Sequence, residues 1–85
     1  MRNFQYVIQD EIGIHARPAG LLVKEAKKYE SKIMLTANGK SAEATKLMTV
    51  MGLGVKPGQT VEIAVEGADE DAAYEGMKAF FEQNL

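Results

Sequence analysis

The chain has 85 residues, of which 46% are hydrophobic and 26% are charged, and its net charge is -2 at pH 7. This length predicts one domain spanning residues 1–85, and the charge argues against general affinity for nucleic acid. Cysteine is absent, which excludes disulfide frameworks and thiolate chemistry. No apolar run approaches the ~20 residues of a membrane span, and no signal peptide is recognisable at the start, so we expect a cytoplasmic protein without membrane insertion.

Hydrophobic spacing predicts the elements of the first half of the chain. Apolar residues alternate over residues 3–8 and 32–37, which predicts two strands. From Ala16 the spacing changes to three and four, which predicts an amphipathic helix of about three turns. Asn38-Gly39 is a strong hairpin signal because both residues tolerate positive φ, and it predicts a third strand over residues 40–44. The apolar face of the helix consists of Ala19, Leu22, Val23 and Ala26.

In the second half, residues 47–52 fit one or two helical turns, and the regular alternation over residues 60–66 predicts a fourth strand. The acidic residues 69–71 suit the start of a last helix that runs to the end of the chain. The predicted order is β-α-β-β-α-β-α, with helices on one face of the sheet and solvent on the other. A ferredoxin-like fold shares the order β-α-β-β-α-β, and the pattern does not determine which strands are neighbours. The apolar face of the last helix consists of Ala73, Met77, Phe80 and Phe81.

The only histidine, His15, lies between the first predicted strand and helix, where an N-cap residue belongs. The first N–H groups of a helix have no intrahelical partners, and the helix dipole favours anions there. Pro18 fits the first turn, since its missing N–H costs nothing. The positive helix end would favour a neutral, nucleophilic imidazole, and Arg17 could bind phosphate oxygens. These features predict a phosphoryl-accepting site, although His15 as a simple cap beside a solvated Arg17 is the commoner arrangement.

Other kinds of site lack the residues that they need. There is no second histidine and no cysteine to complete a metal site, and no Gly-rich run ends in Gly-Lys-Ser/Thr as a P-loop does. Nothing marks a serine as an activated nucleophile. We therefore expect neither metal nor cofactor.

The segment LMTVMGLGV, residues 47–55, predicts an apolar docking surface. A helix of one or two turns cannot bury all of its large side chains, and methionine is common at surfaces that bind several partners. The alternative is that all four large residues belong to the core. They are Leu47, Met48, Val50 and Met51.

Polar features near His15 could also serve partners. The lysines of the first helix are usually only its solvated face, but beside a phosphate site they could steer acidic partners. Gly20 could leave room for a partner, or it could be a tolerated helix glycine that costs about 0.5 to 1 kcal/mol relative to alanine. The lysines are Lys24, Lys27 and Lys28.

Four segments closely resemble the HPr family, the histidine-containing phosphocarriers of the bacterial phosphoenolpyruvate:sugar phosphotransferase system. They are GIHARPAGLLV, NGK, KLMTVMGLGVKPGQTVEI and GADEDAA, and the similarity extends over essentially the whole chain. The resemblance implies an α+β fold, an open-faced β-sandwich of four antiparallel strands with three helices on one side. It further implies a phosphoryl carrier in sugar uptake, without enzymatic activity of its own, which we expect to work as a monomer.

The resemblance assigns roles to individual residues. His15 would accept the phosphoryl group on Nδ1 from phosphorylated enzyme I and pass it to the EIIA domains of sugar permeases, and Arg17 would stabilise it. The docking surface for both partners would comprise Leu47, Met48 and Met51, with Gly20, Lys24 and Lys27 beside it.

One position departs from some members of the family. Those of low-GC Gram-positive bacteria carry a regulatory serine where this chain has Lys46, so we expect the serine-kinase branch to be absent or altered. Lysine is a poor N-cap, and Thr45 could cap instead if the helix begins one residue earlier. Two other functions stay open: a regulatory protein-binding module acting in carbon or nitrogen control on the same fold, and an anion-binding domain of other function.

Overall fold

The structure, a computed structural model, describes residues 1–85 and has the predicted element order. The predicted strands over residues 32–37 and 60–66 are confirmed, while the first strand lies one residue earlier than predicted. The third strand and second helix each end one residue sooner. The elements are β1 (Arg2–Val7), α1 (Ala16–Ala26), β2 (Lys32–Ala37), β3 (Lys40–Glu43), α2 (Leu47–Met51), β4 (Thr60–Glu66) and α3 (Glu70–Asn84).

The strands form one antiparallel sheet in the order β1-β4-β2-β3. Strands β1 and β2 are therefore parallel to each other with β4 between them, and β3 and β4 are parallel with β2 between them. Connections between parallel strands are right-handed. The connection from β1 to β2 contains α1, and the connection from β3 to β4 contains α2. The second connection starts from a strand of opposite direction and crosses the sheet in the opposite sense, so α1 and α2 lie on the same face. The expected open-faced sandwich is confirmed.

The core lies between this face and the three helices. Alternate residues of β2 and β4 point into it, and Phe81 of α3 packs edge-on against Phe4 and Tyr6 of β1. The other face of the sheet is largely exposed, as the alternation predicted. All of the residues predicted to form the apolar faces of α1 and α3 are buried. The most fully buried strand residues are Leu35, Val61, Ile63 and Val65.

Asp69 joins the start of α3 to the loop before β2. It is the N-cap residue and belongs to the acidic segment predicted to start the helix, but its carboxylate makes no capping hydrogen bond. Instead it accepts the N–H groups of Glu30 and Ser31, each at 2.9 Å, and the hydroxyl of Ser31. These bonds favour the charged form and hold the pKa of Asp69 below its ordinary value, and the bond from the Ser31 hydroxyl has the largest effect.

The end of α3 supports the loop between β1 and α1. The backbone N–H groups of Gln9 and Asp10 both donate to the backbone oxygen of Leu85, at 2.6 and 2.8 Å. Leu85 itself is buried in the core. Residues far apart in the sequence thereby hold the segment that leads to His15.

None of the helices has the length and apolar character needed to span a bilayer.

Candidate functional site

The loop before α1 is held in place by a close backbone contact at Gly13. This residue has φ +87°, and a Cβ atom there would lie 2.3 Å from the carbonyl oxygen of Val55. The next residue, Ile14, donates its N–H to the same oxygen at 3.1 Å. Only glycine allows this approach without strain. The contact determines where the chain enters α1 and therefore where His15 stands.

His15 is the N-cap residue of α1, as predicted, and it has extended backbone angles. Its carbonyl accepts the N–H of Ala19 at 2.9 Å, the first backbone bond of the helix. Its ring makes no capping hydrogen bond, so His15 caps the helix through its backbone and its side chain is not used as a cap. The side chain is 33% exposed, and Nε2 lies 3.8 Å from Oδ1 of Asp10. The imidazole is therefore accessible and is not occupied by a structural bond.

His15 and Arg17 line one open cavity of about 230 Å³. Arg17 is exposed and forms no ion pair within the chain, so its guanidinium is free to bind an anion. The N–H groups of Ala16 and Arg17 precede the first helical hydrogen bond and have no intrahelical partner. The imidazole and the guanidinium thus line one cavity at the start of α1, as the sequence predicted.

The cavity also includes residues that sequence reasoning missed. Asp10 comes from the loop, Leu21 from the second turn of α1, and Gln83 and Asn84 from the end of α3. The spacing of five residues between Asp10 and His15 carries no periodic signal, because both lie outside a regular element. The residues of α3 reach the site only through the tertiary fold.

Of the four large residues in the segment predicted to form a docking surface, two are exposed, one is partly buried and one belongs to the core. Met48 is 78% exposed, Leu47 is exposed and Met51 is partly buried, whereas Val50 is 0% exposed and belongs to the core. The alternative that all four are core residues is wrong. A five-residue helix directs one side to the core and leaves the other uncovered.

The residues of α1 that were expected to face partners are all on the surface. Gly20, Lys24 and Lys27 are exposed, and a Cβ atom on Gly20 would meet no atom within 4 Å. Two further apolar side chains are exposed, Leu21 on α1 and Ile12 in the loop before it. Of these, Leu21 lines the His15 cavity and adds apolar surface there that the sequence did not indicate.

Comparison with known proteins places the chain in a family. A family model described as "PTS HPr component phosphorylation site" matches residues 3–83. The phosphocarrier protein HPr of Mycoplasma genitalium is 40% identical over 85 residues, 99% of this chain and 97% of the relative. The chain belongs to the HPr family. Members of the HPr family are phosphocarriers of the phosphotransferase system, and His15 lies inside the matched region.

Solved HPr structures agree with the fold. The histidine-containing phosphocarrier protein of a Mycoplasma has a TM-score of 0.90 and 38% identity, covering 93% of this chain and 90% of the other. HPr of Bacillus anthracis has a TM-score of 0.87 and 30% identity, covering 94% and 95%. The similarity also reaches Crh, the Bacillus subtilis catabolite repression protein, with a TM-score of 0.77, 32% identity and coverage of 100% and 98%.

Lys46, which the resemblance aligns with the regulatory serine of some family members, is the N-cap residue of α2. Lys46 makes no side-chain cap, and α2 begins at Leu47, so the proposed earlier start is wrong. Thr45 does not cap the helix either, since its hydroxyl donates to Oε2 of Glu43 at 2.8 Å. The helix instead begins with a backbone bond, from the N–H of Val50 to the carbonyl of Lys46.

Proposed function

We propose that this HPr-family chain carries a phosphoryl group on His15, accepting it from phosphorylated enzyme I and passing it to the EIIA domains of sugar permeases. One observation carries the proposal. The only imidazole of the chain stands at the start of α1, partly exposed, without a capping hydrogen bond, in the same cavity as an unpaired guanidinium. A side chain kept for stability would be bonded or buried instead.

The chemistry follows from what surrounds the imidazole. A phosphoryl group on His15 would bring negative charge to the N-terminus of α1, where free N–H groups and the helix dipole stabilise anions. Arg17 would bind its oxygens with paired N–H donors. The chain would supply positioning and electrostatics, while the partner proteins supply the donor and acceptor groups. His15 would then be a covalent intermediate, and the chain a carrier rather than an enzyme.

Docking of both partners would use the exposed apolar residues of α2, the helix that packs against α1. Leu47, Met48 and Met51 supply adaptable apolar area, and Lys24 and Lys27 supply positive charge for acidic partners. A shuttle must expose His15 to two partners in turn. We therefore propose that it works as a monomer in the cytoplasm.

The test is intact-mass analysis after incubation with enzyme I and phosphoenolpyruvate. We expect one acid-labile phosphate on the unaltered chain and none on the His15→Ala variant, since His15 is the only histidine. The label should then move to an added EIIA domain. The amide spectrum of the variant should match that of the unaltered chain, because the His15 ring makes no structural bond.

Failure to load with a demonstrably active enzyme I would refute the carrier role. It would favour a regulatory protein-binding module, which the similarity to Crh makes the second candidate. Partners would then be sought with the apolar surface of Leu47, Met48 and Met51.

A further inference from the structure

The carboxylate of Asp10 faces one particular nitrogen of the His15 ring. Its Oδ1 lies 3.8 Å from Nε2. Of the side chains around the cavity, only Asp10 and Arg17 carry formal charge besides a protonated imidazole. The other four are neutral: Pro18, Leu21, Gln83 and Asn84. Asp10 is thus the only anionic side chain that lines the cavity with His15.

Three hydrogen bonds within the chain determine the position of Asp10. Its N–H donates to the oxygen of Leu85 at 2.8 Å, and its carbonyl accepts the N–H of Gly13 at 3.1 Å. Its Oδ1 accepts the N–H of Ile12 at 2.9 Å. A carboxylate held at both its backbone and its side chain loses little further freedom when it orients a neighbouring group.

We propose that Asp10 is a positioning residue for His15: it holds the proton of the neutral ring on Nε2 and leaves the lone pair on Nδ1 for the phosphoryl group. The partner of one ring nitrogen determines which nitrogen carries hydrogen. The present separation exceeds a hydrogen bond of about 3 Å, but the negative charge of Asp10 already favours a proton on the nitrogen that it faces, and catalytic contacts are often long before the reacting complex forms. This inference rests on the proposed carrier function.

The transfer step is balanced without a further reactant. The Nδ1 lone pair forms the bond to phosphorus, and the bond between phosphorus and the donor breaks, with its electron pair remaining on the donor. The proton on Nε2 stays between the ring and Asp10. The ring gains positive charge as Nδ1 becomes bonded, and Asp10 faces that charge while Arg17 faces the phosphoryl oxygens.

Two variants separate this role from the loop's structure. Asp10→Ser keeps an acceptor for the N–H of Ile12, because a serine hydroxyl also bonds the backbone two residues on, but it is too short to reach the ring. Glu11→Gln is the matched control, since it removes the same charge from the next residue, which is exposed and does not line the cavity. Amide spectra check that both variants are folded.

The first measurement is the ¹⁵N chemical shift of both ring nitrogens of His15 in the unphosphorylated chain at a pH where the ring is neutral. We expect Nε2–H as the main form in the unaltered chain and in Glu11→Gln, with a larger Nδ1–H population in Asp10→Ser. A main Nδ1–H form in the unaltered chain, or identical shifts in Asp10→Ser, would overturn the proposal.

The second measurement is the rate of loading from phosphorylated enzyme I. Asp10→Ser should lower kcat about tenfold with little change in KM, because the ring and not the docking surface is altered. A raised KM alone would overturn the positioning role. These outcomes differ from failure of the carrier function itself, in which the unaltered chain would not load at all.

Discussion

Replacement of Gly13 by alanine tests whether the close contact behind the site positions His15. The new Cβ would lie 2.3 Å from the oxygen of Val55, whereas ordinary contact begins at 3.4 Å, so the loop must move by about 1 Å. A residue with a side chain in the left-handed region costs about 1–2 kcal/mol. The shift also stretches the bond from Ile14 to Val55, which contributes about 1 kcal/mol.

We therefore expect Gly13→Ala to lower the free energy of unfolding by about 2–3 kcal/mol. For a domain of this size, that loss lowers the melting temperature by roughly 10–20 °C. His15 follows two residues later, and a displacement of about 1 Å in a reacting group can reduce the rate about 100-fold. Loading by enzyme I at a temperature where the variant is folded should fall accordingly.

Gly20→Ala is the matched control for stability. A Cβ atom on Gly20 meets no atom within 4 Å, and the residue lies inside α1, so the substitution should stabilise the protein by about 0.5–1 kcal/mol. Thermal unfolding followed by circular dichroism measures both variants. A Gly13→Ala protein as stable as the unaltered chain, and loading at the same rate, would refute the reasoning.

Two predictions concern the rest of the fold. Because the pKa of Asp69 is lowered, its contribution to stability is present above the ordinary value of 3.8 and disappears as the pH falls through the lowered value. Between about pH 5 and pH 2, the melting temperature should therefore fall more for the unaltered chain than for Asp69→Asn. An equal fall in both proteins would contradict a stabilising role of the ionised Asp69 carboxylate. Leu35→Ala should lower the free energy of unfolding by about 2–5 kcal/mol, because Leu35 is 0% exposed. Denaturant unfolding measures this loss. A loss below about 1 kcal/mol would contradict the prediction and would mean that the core collapses into the space.

Much of the candidate site could be predicted because its signals are local. His15 is recognisable as an N-cap residue since a strand pattern ends and a helix pattern begins beside it, and Arg17 follows within the first turn. No local signal distinguishes the buried Val50 from the exposed Met48. Both are apolar residues of one short segment, and only the packing of α2 buries the first and exposes the second.

Asp10 shows most clearly where the local signal ends. Nothing in the run from Asp10 to His15 predicts that the carboxylate turns toward the ring, because this depends on Gly13 meeting Val55 and on Leu85 binding the loop from the other end of the chain. The same holds for Asp69, which the sequence marks as a helix start and the structure uses to bind the loop before β2.

The sequence by itself determined the kinds of element, their approximate bounds, their buried faces and the candidate site residues His15 and Arg17, since these depend on side-chain spacing and on neighbours within a few positions. Only the tertiary structure decided the strand order β1-β4-β2-β3, the burial of Val50 and the anion that faces His15. Each of these arises from contacts between residues distant along the chain. Their energies depend on which surfaces meet, and a local pattern does not contain that information.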